Sequence, residues 1–484
     1  MTCKHTPLRA SIASPFVSRR SVLRGGTAIG FTSATGLLGA MGSAHAADTS
    51  GYKALVCLFL KGGMDGTDTI LPVDAESHAA LSTARTDMFR GYDVGSGTSS
   101  RDPENMLELS TARDFGGRRF GLPSQLSDLH DLYESKRMAV VGNVGPLIEP
   151  TTRTQMDANT VSLPKRLFSH NDQQATWMSG GLEGRRFGWG GRFADRTAPG
   201  SGTGRTFASI TATSPDVFLN ASRTKQYPAR LSGPIKLGLV EDRWRLGNDA
   251  DAARARLAEH FASRGADSGN LLRRDLAAAN RRTQDDNDLF KGAIEGSTEF
   301  ATVFPDTSIG KQLATIAAVI SVRGTLGTSR QVFYAATGGY DTHDSQPSSM
   351  PRLHGEIGPA IRAFSDAMAE IGMEDSVTLF TASDFGRTAV GNGDGTDHGW
   401  GAHHFVVGGA VRGGEIYGGL PDYDFGSESY TKSRGRLIPD VSVDQYAASM
   451  GRWFGLTDAE LRDALPNLGN FSTVPDLFGL GGTV

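Results

Sequence analysis

The chain has 484 residues, 38% of them apolar and 21% charged, with a formal charge of −4. This composition supports a folded core and excludes a disordered polyelectrolyte; the missing basic surplus argues against a nucleic-acid partner. Two cysteines, Cys3 and Cys57, exclude a disulfide framework or a cysteine-based zinc site, and 62 glycines without a Gly-X-Y period exclude collagen and point to many tight turns.

The N-terminus reads as an address. Ser18-Arg19-Arg20-Ser21-Val22-Leu23-Arg24 resembles the twin-arginine export signal. A mildly apolar stretch rich in Gly and Ala follows, from Gly25 to Met41, and Ala44-His45-Ala46 has the form of a cleavage site. Residues 1–46 are therefore expected to be a signal peptide and 47–484 the mature domain. The resemblance implies the twin-arginine export machinery as a partner and a periplasmic or secreted location. Residues 1–46 carry five basic and no acidic residues, so the mature chain has a formal charge of −9. No later apolar run approaches the roughly 18 residues that suggest a membrane span.

Along the mature chain, Ala54–Leu60 is a continuous apolar run of strand formers, as expected of a strand buried on both faces. Cys57 should be buried within it. A helix over Leu126–Glu134 leads into a second strand, Met138–Val144. Gln331–Ala336 and Ser376–Thr381 read as third and fourth strands, with a helix at about Gly355–Ile371 between them, and His354 at its start. Thr197–Gly204 reads as a surface loop, and Asp249–Gly296 as a peripheral insertion of two helices. Val443–Phe454 and Thr457–Leu465 read as closing helices. The order predicts an α/β fold with a mostly parallel central sheet flanked by helices.

Three strands end in loops that carry Asp. Gly63-Met64-Asp65-Gly66 follows the first strand, Gly339-Tyr340-Asp341-Thr342-His343 the third, and Ser383-Asp384-Phe385-Gly386-Arg387 the fourth. Ligands of parallel sheets bind beyond the carboxyl ends of the strands, so these loops should converge. Five histidines fall between 343 and 404, among them His398 in a glycine-rich loop and the His403-His404 pair. Carboxylate oxygens and imidazole nitrogens together suit zinc, manganese or iron, and calcium less well. Each loop alone also fits an ordinary turn, in which Asp bonds its own backbone.

Taken together, these motifs resemble the bacterial domain of unknown function 1501 family. The resemblance extends to Ser169-His170 with Gln173, to Gly188-Trp189-Gly190-Gly191-Arg192, and to Gly395-Thr396-Asp397-His398-Gly399. It implies a fold near the alkaline phosphatase and sulfatase superfamily, and a divalent-metal hydrolase of phosphate or sulfate esters, small or polymeric. By that superfamily's chain order, one metal would sit on Asp341, His343 and His398, and a second on Asp65 and Asp384. Ser169 would be the nucleophile, with Thr67 as its rival. Arg387 or His170 would stabilise the transferred anion.

Two departures keep a second class open. Phe385 stands where the superfamily has a metal-binding His, and His403 or His404 is the candidate replacement. Ser169 also fits a helix cap before a helix over Asn171–Met178. The alternative is a non-catalytic exported protein on the same fold that binds a glycan, a surface polymer or a partner protein.

Overall fold

The computed structural model describes residues 47–483 apart from positions 94, 96–97, 201, 231–248, 250, 254, 257–258 and 260–268. The expected signal peptide lies outside the described residues, as does most of the first helix of the insertion. Among the described residues, no helix is long and apolar enough to cross a membrane.

Among the described residues the main sheet has nine strands: β1 (Lys53–Leu60), β2 (Met138–Gly145), β3 (Ser209–Thr211), β4 (Tyr227–Pro228), β5 (Arg330–Thr337), β6 (Val377–Ser383), β7 (Ala402–Val407), β8 (Ile416–Gly418) and β9 (Val441–Ser442). Their order is β8-β2-β7-β6-β1-β5-β3-β4, with β9 also paired to β2. Pairing is parallel throughout except at β7, which runs against both β2 and β6. The mostly parallel sheet flanked by helices is the expected architecture.

The four expected strands are β1, β2, β5 and β6. Alternation along β1 shows why its sequence is apolar without a break. Val56, Leu58 and Leu60 enter one core, with Ile316, Ile357 and Phe364 of the helices Ser308–Ser321 and Gln346–Glu370. Leu55, Cys57 and Phe59 enter the opposite core, with Trp177, Phe193 and Tyr446 of the helices His170–Ser179, Trp189–Thr197 and Val443–Phe454. A strand covered on both faces keeps no polar side. Cys57 is buried, as expected.

The helix expected from Gly355 begins at Gln346, so His354 lies inside it and is buried rather than at its start. Pro347 opens its first turn, where the missing N–H costs nothing, but Pro351 and Pro359 both lie within it. Proline read as a breaker hides these early turns. From the insertion, the helix Leu271–Glu295 is described; it is anchored by Phe290, which stacks on Phe207 and packs against Tyr227.

Register decides where the loops go. Leu60 pairs with Thr337 on one side and Ser383 on the other, so the chain leaves β1, β5 and β6 at one edge of the sheet. Because β7 is reversed, it enters the sheet at that same edge, and the segment before it, containing His398, joins the three loops.

Candidate metal centre

The loops meet first through backbone. Gly62 N–H donates to Asp384 Oδ1 at 3.2 Å, and Gly62 O accepts from Arg387 Nη1 at 3.2 Å. Gly62 has φ +117°, and a Cβ there would lie 2.4 Å from Asp341 N, so only glycine permits this approach.

Asp341, at the exit of β5, is the hub. Its Oδ1 accepts from Arg387 Nη1 at 2.8 Å. Three imidazole Nε2 atoms surround the same oxygen, those of His343 at 3.1 Å, His398 at 3.3 Å and His170 at 3.4 Å. Potential ligand atoms of His170, Asp341 and His398 all lie within 4.8 Å of one another. His343 Nε2 is 2.9 Å from His398 Nε2.

The other ring nitrogens fix which tautomers face the hub. His398 Nδ1 donates to the Phe168 carbonyl at 2.7 Å, which leaves Nε2 bare. His170 Nδ1 lies 2.6 Å from Asp384 Oδ2, and its Nε2 is buried without a hydrogen-bond partner. A carboxylate or carbonyl on Nδ1 with Nε2 free is the arrangement by which proteins orient metal-binding imidazoles.

Electrostatics follow the contacts. Burial pushes the Asp341 carboxyl up, but the hydrogen bond and charge of Arg387, with His170 and His343, outweigh it and hold the pKa below the ordinary range. The hydrogen bond that His170 donates to Asp384 raises its pKa against its burial. His398 is lowered, chiefly by burial, with the charges of His170 and Arg387 adding to it. Phe385 forms the dry wall, its ring centroid 4.8 Å from that of His170 and 4.6 Å from that of His398.

The remaining expected site residues have other work. Asp384 is fully buried and accepts from Gly62 N–H, His170 Nδ1 and Gln174 Nε2, so it orients His170. Asp65 is not brought into the cluster. Its carboxylate forms a bidentate pair with Arg85 at 2.8 and 3.1 Å and accepts from Gln346 Nε2 at 2.7 Å. It also caps the short turn after it through the Thr67 and Asp68 N–H groups. The structure therefore does not assemble Asp65 and Asp384 as a second metal site.

Arg387 is buried, with Nε on Thr396 Oγ1 and Nη2 on the Thr396 carbonyl. It supports Asp341 instead of reaching out for an anion. Ser169 stands at the start of the helix His170–Ser179, where Oγ donates to Asp172 Oδ2 at 3.0 Å and makes no backbone cap. Thr67 is buried beside Asp65. His403 and His404 are buried in β7, with Nδ1 of His403 accepting from Asn143 N–H and Nδ1 of His404 3.2 Å from Thr381 Oγ1. Neither fills the place taken by Phe385. As a candidate metal ligand, His170 is what the sequence reading missed: only its place at the start of a helix holding Gln173 and Gln174 hinted that it faces inward.

The chain belongs to the family described as Protein of unknown function (DUF1501), whose model matches residues 52–461. No curated protein matches the sequence. Among solved structures, the PsFucS1 sulfatase from Pseudoalteromonas sp. is similar at 8% identity and TM-score 0.33, over 84% of this chain and 68% of that one. Ps i-CgsB in complex with k-i-k-neocarrahexaose is similar at 9% identity and TM-score 0.32, over 84% and 72%. A Bacteroides thetaiotaomicron structure, titled for metabolism of multiple glycosaminoglycans, is similar at 10% identity and TM-score 0.32, over 86% and 74%.

Proposed function

We propose that this protein is an exported, metal-dependent hydrolase of phosphate or sulfate esters, with one divalent cation held by His170, Asp341 and His398 and with His343 beside them. The observation that carries the reading is the convergence of imidazole Nε2 atoms on Asp341 while the Nδ1 atoms of His170 and His398 are pinned from behind. His170 Nε2, buried without a hydrogen bond and facing Asp341 Oδ1, is suited to a cation, and a set of imidazoles with one carboxylate suits zinc. A divalent cation supplies Lewis acidity, polarising an ester oxygen and lowering the pKa of water.

The chain's own residues do the rest. Asp384 and the Phe168 carbonyl aim His170 and His398. Arg387 keeps Asp341 ionised and offsets its charge, so a cation bound there gives the centre a net positive charge that attracts an anionic ester. Phe385 limits water on one side, which strengthens that attraction.

The second reading, a non-catalytic binding protein on the same fold, is favoured by one observation: the Ser169 hydroxyl is tied to Asp172. Metal content of the exported protein, with turnover of p-nitrophenyl sulfate and phosphate, separates the two. About one equivalent of metal and chelator-sensitive release of p-nitrophenol are expected. A metal-free protein inert toward both esters overturns the hydrolase. Bound metal without turnover leaves the binding protein.

A further inference from the structure

Just before His170 the backbone does something unusual. Arg166 and Phe168 both have left-handed φ values, 53° and 73°, although neither is glycine. For a bulky aromatic residue this conformation is strained and persists only where its surroundings enforce it. Two contacts do so. The Phe168 ring packs against the satellite core of Leu147, Trp400, Ile438 and Phe471. The Arg436 guanidinium lies over the same ring, 4.3 Å from its centroid. Arg436 then reaches past it, and Nε donates to the His398 carbonyl at 2.8 Å.

The outcome of the strain is the direction of one carbonyl. Phe168 O accepts from His398 Nδ1 at 2.7 Å, and a carbonyl can only accept, so the proton of neutral His398 must sit on Nδ1. His398 is thus held on both sides, through its own carbonyl by Arg436 and through its ring by Phe168. Two residues after Phe168, His170 enters the cluster. We infer that Phe168, clamped by Arg436, is a positioning residue for the metal centre: its left-handed backbone sets the tautomer of His398 and the approach of His170. This rests on the metal-site reading above.

The test exploits a difference between conformation and packing. Alanine at 168 removes the ring that enforces the left-handed backbone but retains the steric penalty for it. Glycine removes as much packing, yet adopts positive φ freely. Zinc affinity, measured by competition with a chromophoric chelator, should fall about 10–100-fold in Phe168→Ala, the usual cost of losing support behind a metal-binding imidazole. Phe168→Gly should bind zinc more tightly than Phe168→Ala. A residue that only fills the core gives the reverse order, or equal values, and overturns the inference.

A second measurement needs no metal. Nitrogen-15 shifts of His398, assigned with His398→Gln, should show Nδ1–H in the apo protein. Arg436→Met, which removes the clamp but changes no residue of the satellite core, should show a mixture of tautomers. An Nε2–H tautomer in the unmodified protein overturns the inference whether or not zinc binds. Failure of the unmodified protein to bind zinc defeats the metal-site reading instead.

Discussion

Asp384, at the exit of β6, holds Nδ1 of His170 at 2.6 Å from the far side of the candidate metal centre. Replacing it with asparagine tests what the contact does. The side-chain oxygen of Asp384→Asn can still accept from Gly62 N–H, but its amide would donate to Nδ1 and move the imidazole proton to Nε2. We expect zinc affinity to fall about 10–100-fold, with the fold retained once Gln174 turns its amide oxygen toward the new N–H. Zinc titration alongside a melting curve checks both.

Asp65 and Arg85 form a buried pair, with side chains 0% and 1% exposed. Removing one partner strands the other charge, so Asp65→Ala should destabilise the fold by about 3–5 kcal/mol. The double variant Asp65→Leu with Arg85→Met should lose less, because no charge is left unpaired. Urea denaturation of both proteins measures the difference. A loss of zinc binding in Asp65→Asn protein that remains folded would contradict the purely structural place given to Asp65.

Three buried histidines lie away from the candidate ligands. Burial lowers His354 and His404 to about 3 and His403 to about 4, against an ordinary 6.5. The unfolded chain therefore takes up protons that the folded one refuses. Their contribution to stability is full above pH 6.5 and is lost as the pH falls toward 4 and 3. The melting temperature should drop steadily below pH 6.5, by an equivalent of roughly 1–3 kcal/mol per imidazole by pH 4. His404→Gln should flatten that slope.

Asp444 shows the opposite sign. Burial raises its carboxyl to about 6 despite hydrogen bonds from Asn467. Its folded pKa lies above the unfolded 3.8, so its contribution is full below pH 3.8 and is lost as the pH rises through 6. Asp444→Asn keeps an acceptor for Asn467 N–H. It should raise the melting temperature at pH 8 and leave it nearly unchanged at pH 4.

Much of this was legible in the residues, for identifiable reasons. The unbroken apolar run of β1 and the largely apolar, strand-forming runs of β2, β5 and β6 declared buried strands, and the Asp-bearing loops after three of them declared where a site would lie. Asp341, His343 and His398 do come together there. What sequence spacing does not carry is pairing direction and partner choice. The reversal of β7 is invisible in His403–Val407, though it brings His398 to the right edge. Asp65 and Asp341 both follow Gly-rich turns, yet the first is claimed by Arg85 and Gln346, which contribute no local signal. His170 reaches the centre through a helix start, and the carbonyl behind His398 belongs to a phenylalanine.

The place of β1 in the sheet has a consequence for how the chain is made. Among the described residues it is the first strand in chain order, and its two neighbours begin only at Arg330 and Val377. Until both have emerged, a strand with no polar face has nowhere to go. A nascent chain, or a fragment ending before Ser383, leaves an unpaired edge beside an apolar surface, the form most prone to aggregation. Late closure around an early strand ties the folding of β1 to a segment more than 300 residues further on, so fragments that stop before Ser383 should aggregate more readily than the full chain.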